Sequence, residues 1–325
     1  MSKDSNIEWT GHTWPIVTGC DFAGEGCPNC YALKDSWRLS HNPNSKISEP
    51  YKDTVIKAAN GKLQWSGVVK VHIDRLNWVL KWKKPAKIFV CNMADLFHEK
   101  VPDDFIDLAF AYMAIAQRHT FQILTKRPER MQSYMRNCKQ RIRRAAVDLG
   151  RELKLPYETY EPYETCEFEW PLPNGWLGVS VENQKAADTR IPILVETPAK
   201  VKFLSCEPLL EELDLSEFLN IDYYVSAMET PCGTGIKYYN AIDWIIAGGE
   251  SGPNARVCHV EHLRSLVQDC QSAEIPIFIK QLGTKPMLNN QPYKISDSEA
   301  LRRNRKGGIL TEFPEDLQLR EFPTN

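Results

Sequence analysis

Three cysteines fall close together, Cys20, Cys27 and Cys30, in the run Gly19-Cys20-Asp21-Phe22-Ala23-Gly24-Glu25-Gly26-Cys27-Pro28-Asn29-Cys30-Tyr31-Ala32. Three thiolates without an adjacent fourth describe an incomplete coordination sphere. A structural zinc closes with four ligands and an open catalytic zinc usually mixes in histidine, whereas a [4Fe–4S] cluster held by three cysteines keeps one iron free for chemistry. Glycines 19, 24 and 26 suit a loop folded tightly around such a group, since they reach positive φ and bring backbone N–H groups close to sulfur.

Further polar groups recur just after short apolar runs. They are Asn92 and Asp95; Thr125, Lys126 and Arg127; Ser180, Glu182 and Asn183; Ser205 and Glu207; Gly248, Gly249 and Glu250; and Lys280 with Gln281. In a parallel barrel the strand C-termini face one mouth, and charges gathered there need a ligand or internal partners to offset desolvation. Simpler local roles compete. Thr125-Lys126-Arg127-Pro128 can start a helix with Pro128 in its first turn, and Glu182 can satisfy the free N–H groups of another. Ala247-Gly248-Gly249-Glu250-Ser251-Gly252 would let a ligand approach the backbone and offer it a carboxylate, yet it matches neither a Walker A nor a dinucleotide-binding pattern. No Gly-x-Ser-x-Gly elbow occurs, and the histidines show no metal-ligand pairing; His98, near Asp95, suits an acid–base role or a helix start.

The elements that must position these groups follow an α/β rhythm. Short β-branched runs at Trp14 to Val17, Val68 to His72, Lys87 to Cys91, Thr120 to Leu124, Trp176 to Ser180, Val201 to Ser205, Trp244 to Ala247 and Pro276 to Ile279 read as strands. Between them, Asn77 to Trp82, a helix opened by Pro102-Asp103-Asp104, Pro128 to Arg144, Asn183 to Leu194 and Glu261 to Ala273 carry helical periodicity, with Pro192 expected to kink or shorten the fourth. The count predicts a (β/α) barrel, closed or partial, over residues 1–290. A charged insertion spans about 136–170, basic from Arg136 to Lys154 and then acidic and aromatic to Trp170. It reads as a solvated helix and loop, or as a lid or partner-binding arm. Residues 291–325 form a C-terminal extension whose Arg302-Arg303-Asn304-Arg305-Lys306 run reads as a solvated turn.

With 42% hydrophobic and 25% charged residues over 325 positions, the chain can bury a large core. Its net charge of −2 gives no global drive toward polyanions. No apolar run reaches the length of a membrane span, and the N-terminus lacks the apolar core of a secretion signal, so a cytoplasmic protein with no membrane partner is expected. The seven scattered cysteines, Cys91, Cys138, Cys166, Cys206, Cys232, Cys258 and Cys270, are expected to be mostly buried thiols in a reducing compartment.

Several motifs together resemble the phage Gp37/Gp68-like family, a domain of unknown function: Ile7-Glu8-Trp9-Thr10, Gly26-Cys27-x-x-Cys30-Tyr31-Ala32, Asn92-Met93-Ala94-Asp95-Leu96-Phe97-His98, Leu124-Thr125-Lys126-Arg127-Pro128, Trp176 to Asn183, Glu207-Pro208-Leu209-Leu210 and Gly248 to Gly252. The cysteine arrangement and the Leu-Thr-Lys are also similar to radical S-adenosylmethionine enzymes of the spore photoproduct lyase branch. The first cysteine gap is longer here and Asn29 stands where an aromatic is typical. The resemblance implies a partial barrel with a [4Fe–4S] cluster on Cys20, Cys27 and Cys30 and S-adenosylmethionine as cofactor. Lys126, Glu182 and Glu207 would then serve as catalytic groups, and Asn92, Asp95, Thr125, Ser180, Gly248, Gly249, Glu250 and Lys280 as cofactor-binding groups. It further implies an electron donor, a three-Cys-motif partner protein, and a nucleobase, nucleotide or nucleic-acid substrate met by Arg127, Arg130 and the 136–154 stretch. Two other readings stay open: a zinc-stabilised binding module closed by a fourth ligand such as Cys91, Cys206 or a histidine, and a zinc-dependent hydrolase.

Overall fold

The computed structural model describes residues 5–219, 222–223, 239–293 and 306–324. The chain forms two compact units, Met1–Val179 with Glu196–Val201, and Ser180–Val195 with Lys202–Asn325. Seven strands carry the main sheet: β1 (His12–Trp14), β2 (Lys87–Val90), β3 (Thr120–Thr125), β4 (Gly175–Ser180), β5 (Val201–Cys206), β6 (Trp244–Gly248) and β7 (Ile277–Gln281). Their hydrogen-bonded order is the order of the chain, with β1 and β7 at the two edges. An open order of this kind agrees with a partial (β/α) barrel and not with a closed one.

In the first unit, β1, β2 and β3 pair in parallel, with His12 opposite Ile88 and Lys87 opposite Thr120, and β4 pairs with β3 through Thr125 and Val179. The expected strand at Trp14 to Val17 is split. Pro15 supplies no N–H for a ladder, so β1 stops at Trp14 and Val17–Thr18 pairs separately, antiparallel to Lys70–Val71. The expected strand at Val68 to His72 is only that short antiparallel partner, outside the main sheet.

The helices of this unit are α1 (Tyr31–Ser40), α2 (Asp103–Ile115), α3 (Pro128–Asn137) and α4 (Lys139–Glu152). Pro102 precedes α2 and two aspartates lie in its first turn, where the helix dipole favours them. The stretch read as one helix from Pro128 to Arg144 is two. It breaks at buried Cys138, after which the apolar stripe Ile142, Ala146, Val147 and Leu149 is buried and α4 packs on α2. Asn77 to Trp82 yields only one helical turn, Trp78–Lys81.

The charged insertion is therefore part of the core packing. A Cβ on Gly150 would stand 2.4 Å from the Tyr160 ring, and the Tyr163 hydroxyl donates to the Ala114 carbonyl at 2.9 Å. Four of its arginines are matched locally: Arg136 to Glu196, Arg141 to Asp107, Arg143 to the Tyr163 carbonyl and Arg151 to Glu164. The helical part of the insertion, read as a solvated helix or as part of a lid or partner-binding arm, packs one face against α2.

In the second unit β6 pairs in parallel with β5 and β7, with Ile245 opposite Leu204 and Ile277. Helices α5 (Gln184–Val195) and α6 (Val260–Ser272) follow the period-3.6 reading, and α5 continues past Pro192. All five residues of β6 are buried, and Trp244 lies against Phe203, Phe278 and Phe322 at centroid distances of 5.7, 6.3 and 5.3 Å.

The C-terminal segment, read as an extension, lies along the edge of β7. Ile279 N–H donates to the Leu319 carbonyl at 2.9 Å, Glu321 N–H to the Ile277 carbonyl at 3.1 Å, and Phe313 and Leu317 are buried. Of the scattered cysteines, Cys91, Cys138, Cys206, Cys258 and Cys270 are buried as expected, whereas Cys166 is exposed. Cys232 and Arg302 to Arg305 lie outside the described residues. Because Phe322 fills the space between Trp244 and Phe278, Phe322→Ala is expected to lower unfolding stability by about 2 kcal/mol in urea denaturation, less than truncating a fully buried phenylalanine.

Candidate functional site

The first unit gathers its chemistry at the C-terminal ends of β1, β2 and β3. After β2, Cys91 takes φ of 56° and redirects the chain toward Asp95. The Asp95 carboxylate is buried and receives donors from three directions. Oδ1 accepts the Phe97 N–H at 2.9 Å and the Thr125 hydroxyl at 2.8 Å; Oδ2 accepts the Lys126 N–H at 3.2 Å and Arg127 Nη1 at 3.0 Å. Thr125 in turn accepts the Arg127 N–H, and Arg127 Nε reaches Glu99 at 3.2 Å. Thr125, Lys126 and Arg127 thus do start α3, as the local alternative held, and they also enclose a carboxylate.

The cysteine loop lies beside this network. Gly19 has φ of 87°, and a Cβ there would come within 2.0 Å of the Val68 carbonyl, so only glycine fits. Gly24 and Gly26 do not share this conformation; of the three loop glycines only Gly19 uses positive φ. Cys27 N–H donates to the Gly24 carbonyl at 3.1 Å and Cys30 N–H to the Cys27 carbonyl at 3.0 Å, which delivers Cys30 to the N-cap of α1. Cys20 and Cys30 pack on one apolar cluster of Ala32, Leu33, Val55 and Trp65, together with Met93.

Burial pushes the Cys20 thiol up to about 12, Asp95 adds to the rise, and Arg127 opposes it. Cys30 is raised by burial, against the pull of the Ala32 N–H. A thiophilic metal or cluster would have to displace protons from both, which couples loading to pH. Cys20 feels Cys30 electrostatically, Cys30 feels Cys27, and Cys91 feels Cys20. Among the described residues, no three His, Cys, Asp or Glu side chains already form a coordination sphere. The donor set itself, three soft thiols on one loop, fits an iron–sulfur cluster or zinc.

Two histidines anchor this loop. His98 is buried; its Nδ1 accepts the Lys100 N–H at 3.1 Å, which leaves Nε2 to donate to Asp21 Oδ2 at 3.1 Å. His72 Nε2 meets the Thr18 hydroxyl at 2.9 Å. Burial and the nearby Arg75 push His72 down to about 4. Neither His98–Asp21 nor His72–Thr18 was singled out from spacing, since each joins residues more than fifty positions apart. Asn92 contributes its carbonyl to the Tyr31 hydroxyl, and half-buried Lys126 lies close enough to Cys30 to favour its thiolate.

The second unit carries the remaining candidates. Glu182 is buried and paired with Arg190 Nη1 at 2.8 Å, which also donates to the Ser180 carbonyl at 2.7 Å. The capping role considered for Glu182 belongs to Asn183, whose Oδ1 accepts the Ala186 N–H at 2.9 Å at the start of α5. Both oxygens of Glu250 are held by Arg256, through Nε and N–H on Oε2 and Nη2 on Oε1. Ser205 contributes its carbonyl to the Val181 N–H at 2.8 Å. Gly248 and Gly249 are required by the chain's own backbone. A Cβ at Gly249 would lie 2.3 Å from the Leu282 carbonyl, and one at Gly248 would lie 3.0 Å from the Gln281 carbonyl and 3.1 Å from Glu207 Oε1. The closely approaching group expected over these glycines is therefore protein.

Glu207 differs from the other carboxylates. Its Oε1 meets Lys280 Nζ at 2.9 Å, and the two side chains are 14% and 18% exposed. A lysine ammonium has three donors and a carboxylate about four acceptor sites, so this pair keeps capacity for a further charged group. It joins the ends of β5 and β7, with Gly248 of β6 beside it.

A family model described as "Protein of unknown function (DUF5131)" matches residues 4–314. No curated protein and no solved structure matches the chain.

Two predictions follow from this geometry. Asp95→Ala strands the buried Arg127 charge and is expected to cost about 3–5 kcal/mol in chemical denaturation, whereas Asp95→Ala with Arg127→Met recovers a large share of that loss. His72 is depressed in the folded chain relative to about 6.5 when unfolded, so the unfolded chain takes the proton first as pH falls. Its contribution is complete above about pH 6.5 and is lost down to about pH 4, roughly 1–2 kcal/mol after allowing for its partial exposure. His72→Asn should flatten the difference in stability between pH 7 and pH 4.5 measured by urea denaturation.

Proposed function

The chain belongs to this family of unknown function, and from that premise we propose that it is a radical S-adenosylmethionine-type iron–sulfur enzyme. The observation that carries the reading is the cysteine loop: three thiols on one loop, two of them packed on a single apolar cluster, with a backbone that only glycine can enter at position 19 and a histidine anchor on both sides. Cys20, Cys27 and Cys30 would hold a [4Fe–4S] cluster. When bound, that group supplies the electron with which S-adenosylmethionine yields a 5′-deoxyadenosyl radical.

The chain's own residues divide into support and contact. Asp95, Thr125, Glu182 and Glu250 hold shape, because their oxygens already engage neighbouring donors. Lys126, which favours the Cys30 thiolate, is the group whose charge matches the cofactor's carboxylate, and Glu207 with Lys280 is a separate candidate pair for a charged group. Asn92, Ser180, Gly248 and Gly249 shape the backbone around these groups. A nucleobase, nucleotide or nucleic acid is the substrate class carried over with the reading, together with an electron donor and a three-Cys-motif partner protein.

The electrostatic influence of Cys20 on Cys91 supports one alternative, a zinc closed by a fourth thiolate in a non-catalytic binding module. Metal analysis separates the two. Anaerobic purification is expected to give about four irons and matching sulfide per chain, lost in Cys27→Ala, with 5′-deoxyadenosine formed after dithionite reduction with S-adenosylmethionine. Glu207→Gln should retain the iron and slow 5′-deoxyadenosine formation. Stoichiometric zinc without iron would overturn the reading.

A further inference from the structure

The polyanion partner expected at the 136–154 stretch finds most of its arginines matched, but unmatched cations exist elsewhere. Residues 31–70 hold seven Lys and Arg against three Asp and Glu, in a chain whose net charge is −2. Most of this segment is a small lobe of the first unit. The helical turn Ser45–Ser48, the turn Glu49–Tyr51 and the hairpin Val55–Lys57/Leu63–Trp65 all pack on α1. The apolar cluster between α1 and the hairpin is the one that carries Cys20 and Cys30.

On the solvent side of the lobe, Arg38 pairs with Asp35 and Lys52 with Glu49. Among the described residues Lys34, Lys46, Lys57 and Lys62 are exposed and have no carboxylate partner, and Ile47 and Ile56, next in sequence to Lys46 and Lys57, are 39% and 44% exposed. Lys34 sits about one helical turn from Cys30. Lysines on a hairpin edge can serve simply to repel other strands. That accounts for Lys57 and Lys62 but not for Lys34 and Lys46, which lie on helices.

We infer that this lobe is a docking surface for an acidic protein. Charge complementarity sets the sign of the partner, and the side chains beside the lysines set its class. Nucleic acid is read chiefly by arginine forks and stacking aromatic rings. Here the exposed arginine is tied to Asp35, the Tyr31 hydroxyl is tied to the Asn92 carbonyl, and the neighbouring side chains are isoleucines. Lysines around aliphatic contacts suit an electrostatically steered encounter with a carboxylate-rich protein face. The surface does not depend on whether the loop beneath it holds iron, zinc or neither.

The test uses the full chain and two fluorescein-labelled peptides of equal negative charge, one polyglutamate and one glutamate interspersed with leucine, beside an oligothymidylate of the same charge. At low salt the glutamate–leucine peptide is expected to bind best, and Lys34→Glu with Lys46→Glu, Lys57→Glu and Lys62→Glu should weaken it by about tenfold or more. The control Lys81→Glu with Lys83→Glu and Lys84→Glu, also exposed lysines, should change it by less than about twofold. Ile47→Gln with Ile56→Gln should weaken that peptide and leave the oligothymidylate unaffected. Matching melting temperatures would show that the variants fold. Equal loss in both lysine sets would overturn the inference, and so would tighter binding of the oligothymidylate than of either peptide, which would mark a nucleic-acid surface.

Discussion

A carboxylate at the buried end of a parallel strand cannot stand alone. Desolvation of an unpaired charge costs several kcal/mol, comparable to the whole stability of a domain, so each such group must find a cation, a set of N–H donors or both. This protein places a carboxylate near the end of β2, β4, β5 and β6, and the chain around each one is arranged to answer it. Asp95 draws in the residues that lead into α3, and Glu250 folds the following loop back through Arg256. Glu182 fixes an arginine two turns into α5. The loops above the sheet owe their shape largely to these local neutralisations.

That constraint also explains what could be read beforehand. The polar clusters after apolar runs were visible because strand, loop and helix follow one another closely in the chain. Their partners were harder to see. Arg190 and Arg256 lie eight and six residues beyond the carboxylates they meet, at spacings that belong to no capping motif, and Lys280 lies seventy-three beyond Glu207. The glycine pair at 248 and 249 signalled a close approach correctly, but nothing local says that the approaching group is the next strand's own backbone. Boundaries failed where tertiary packing overrode periodicity, as at Cys138, or where a single proline divided an apolar run, as at Pro15.

The cysteine loop shows the same division. Spacing singled out three candidate soft ligands, and the structure adds what positions them: a steric requirement at Gly19, a helix start at Cys30, and imidazole anchors on Thr18 and Asp21. Those anchors come from segments far along the chain, so the loop takes its shape only when the surrounding unit has formed. The same apolar cluster that carries two of the thiols also supports the lysine-bearing lobe, which ties the metal-ligand candidates to an exposed surface.

The segment along β7 has a meaning for synthesis. A chain emerging in order from the ribosome completes β7 before residues 307–322 exist, so the last sheet edge and the faces of Trp244 and Phe278 are open for the interval between them. During that interval the nascent protein can recruit strands from its neighbours on a polysome. A product stopped short of Leu319 would keep that adhesive edge permanently, so premature termination yields a molecule marked for aggregation or clearance rather than a slightly shorter protein.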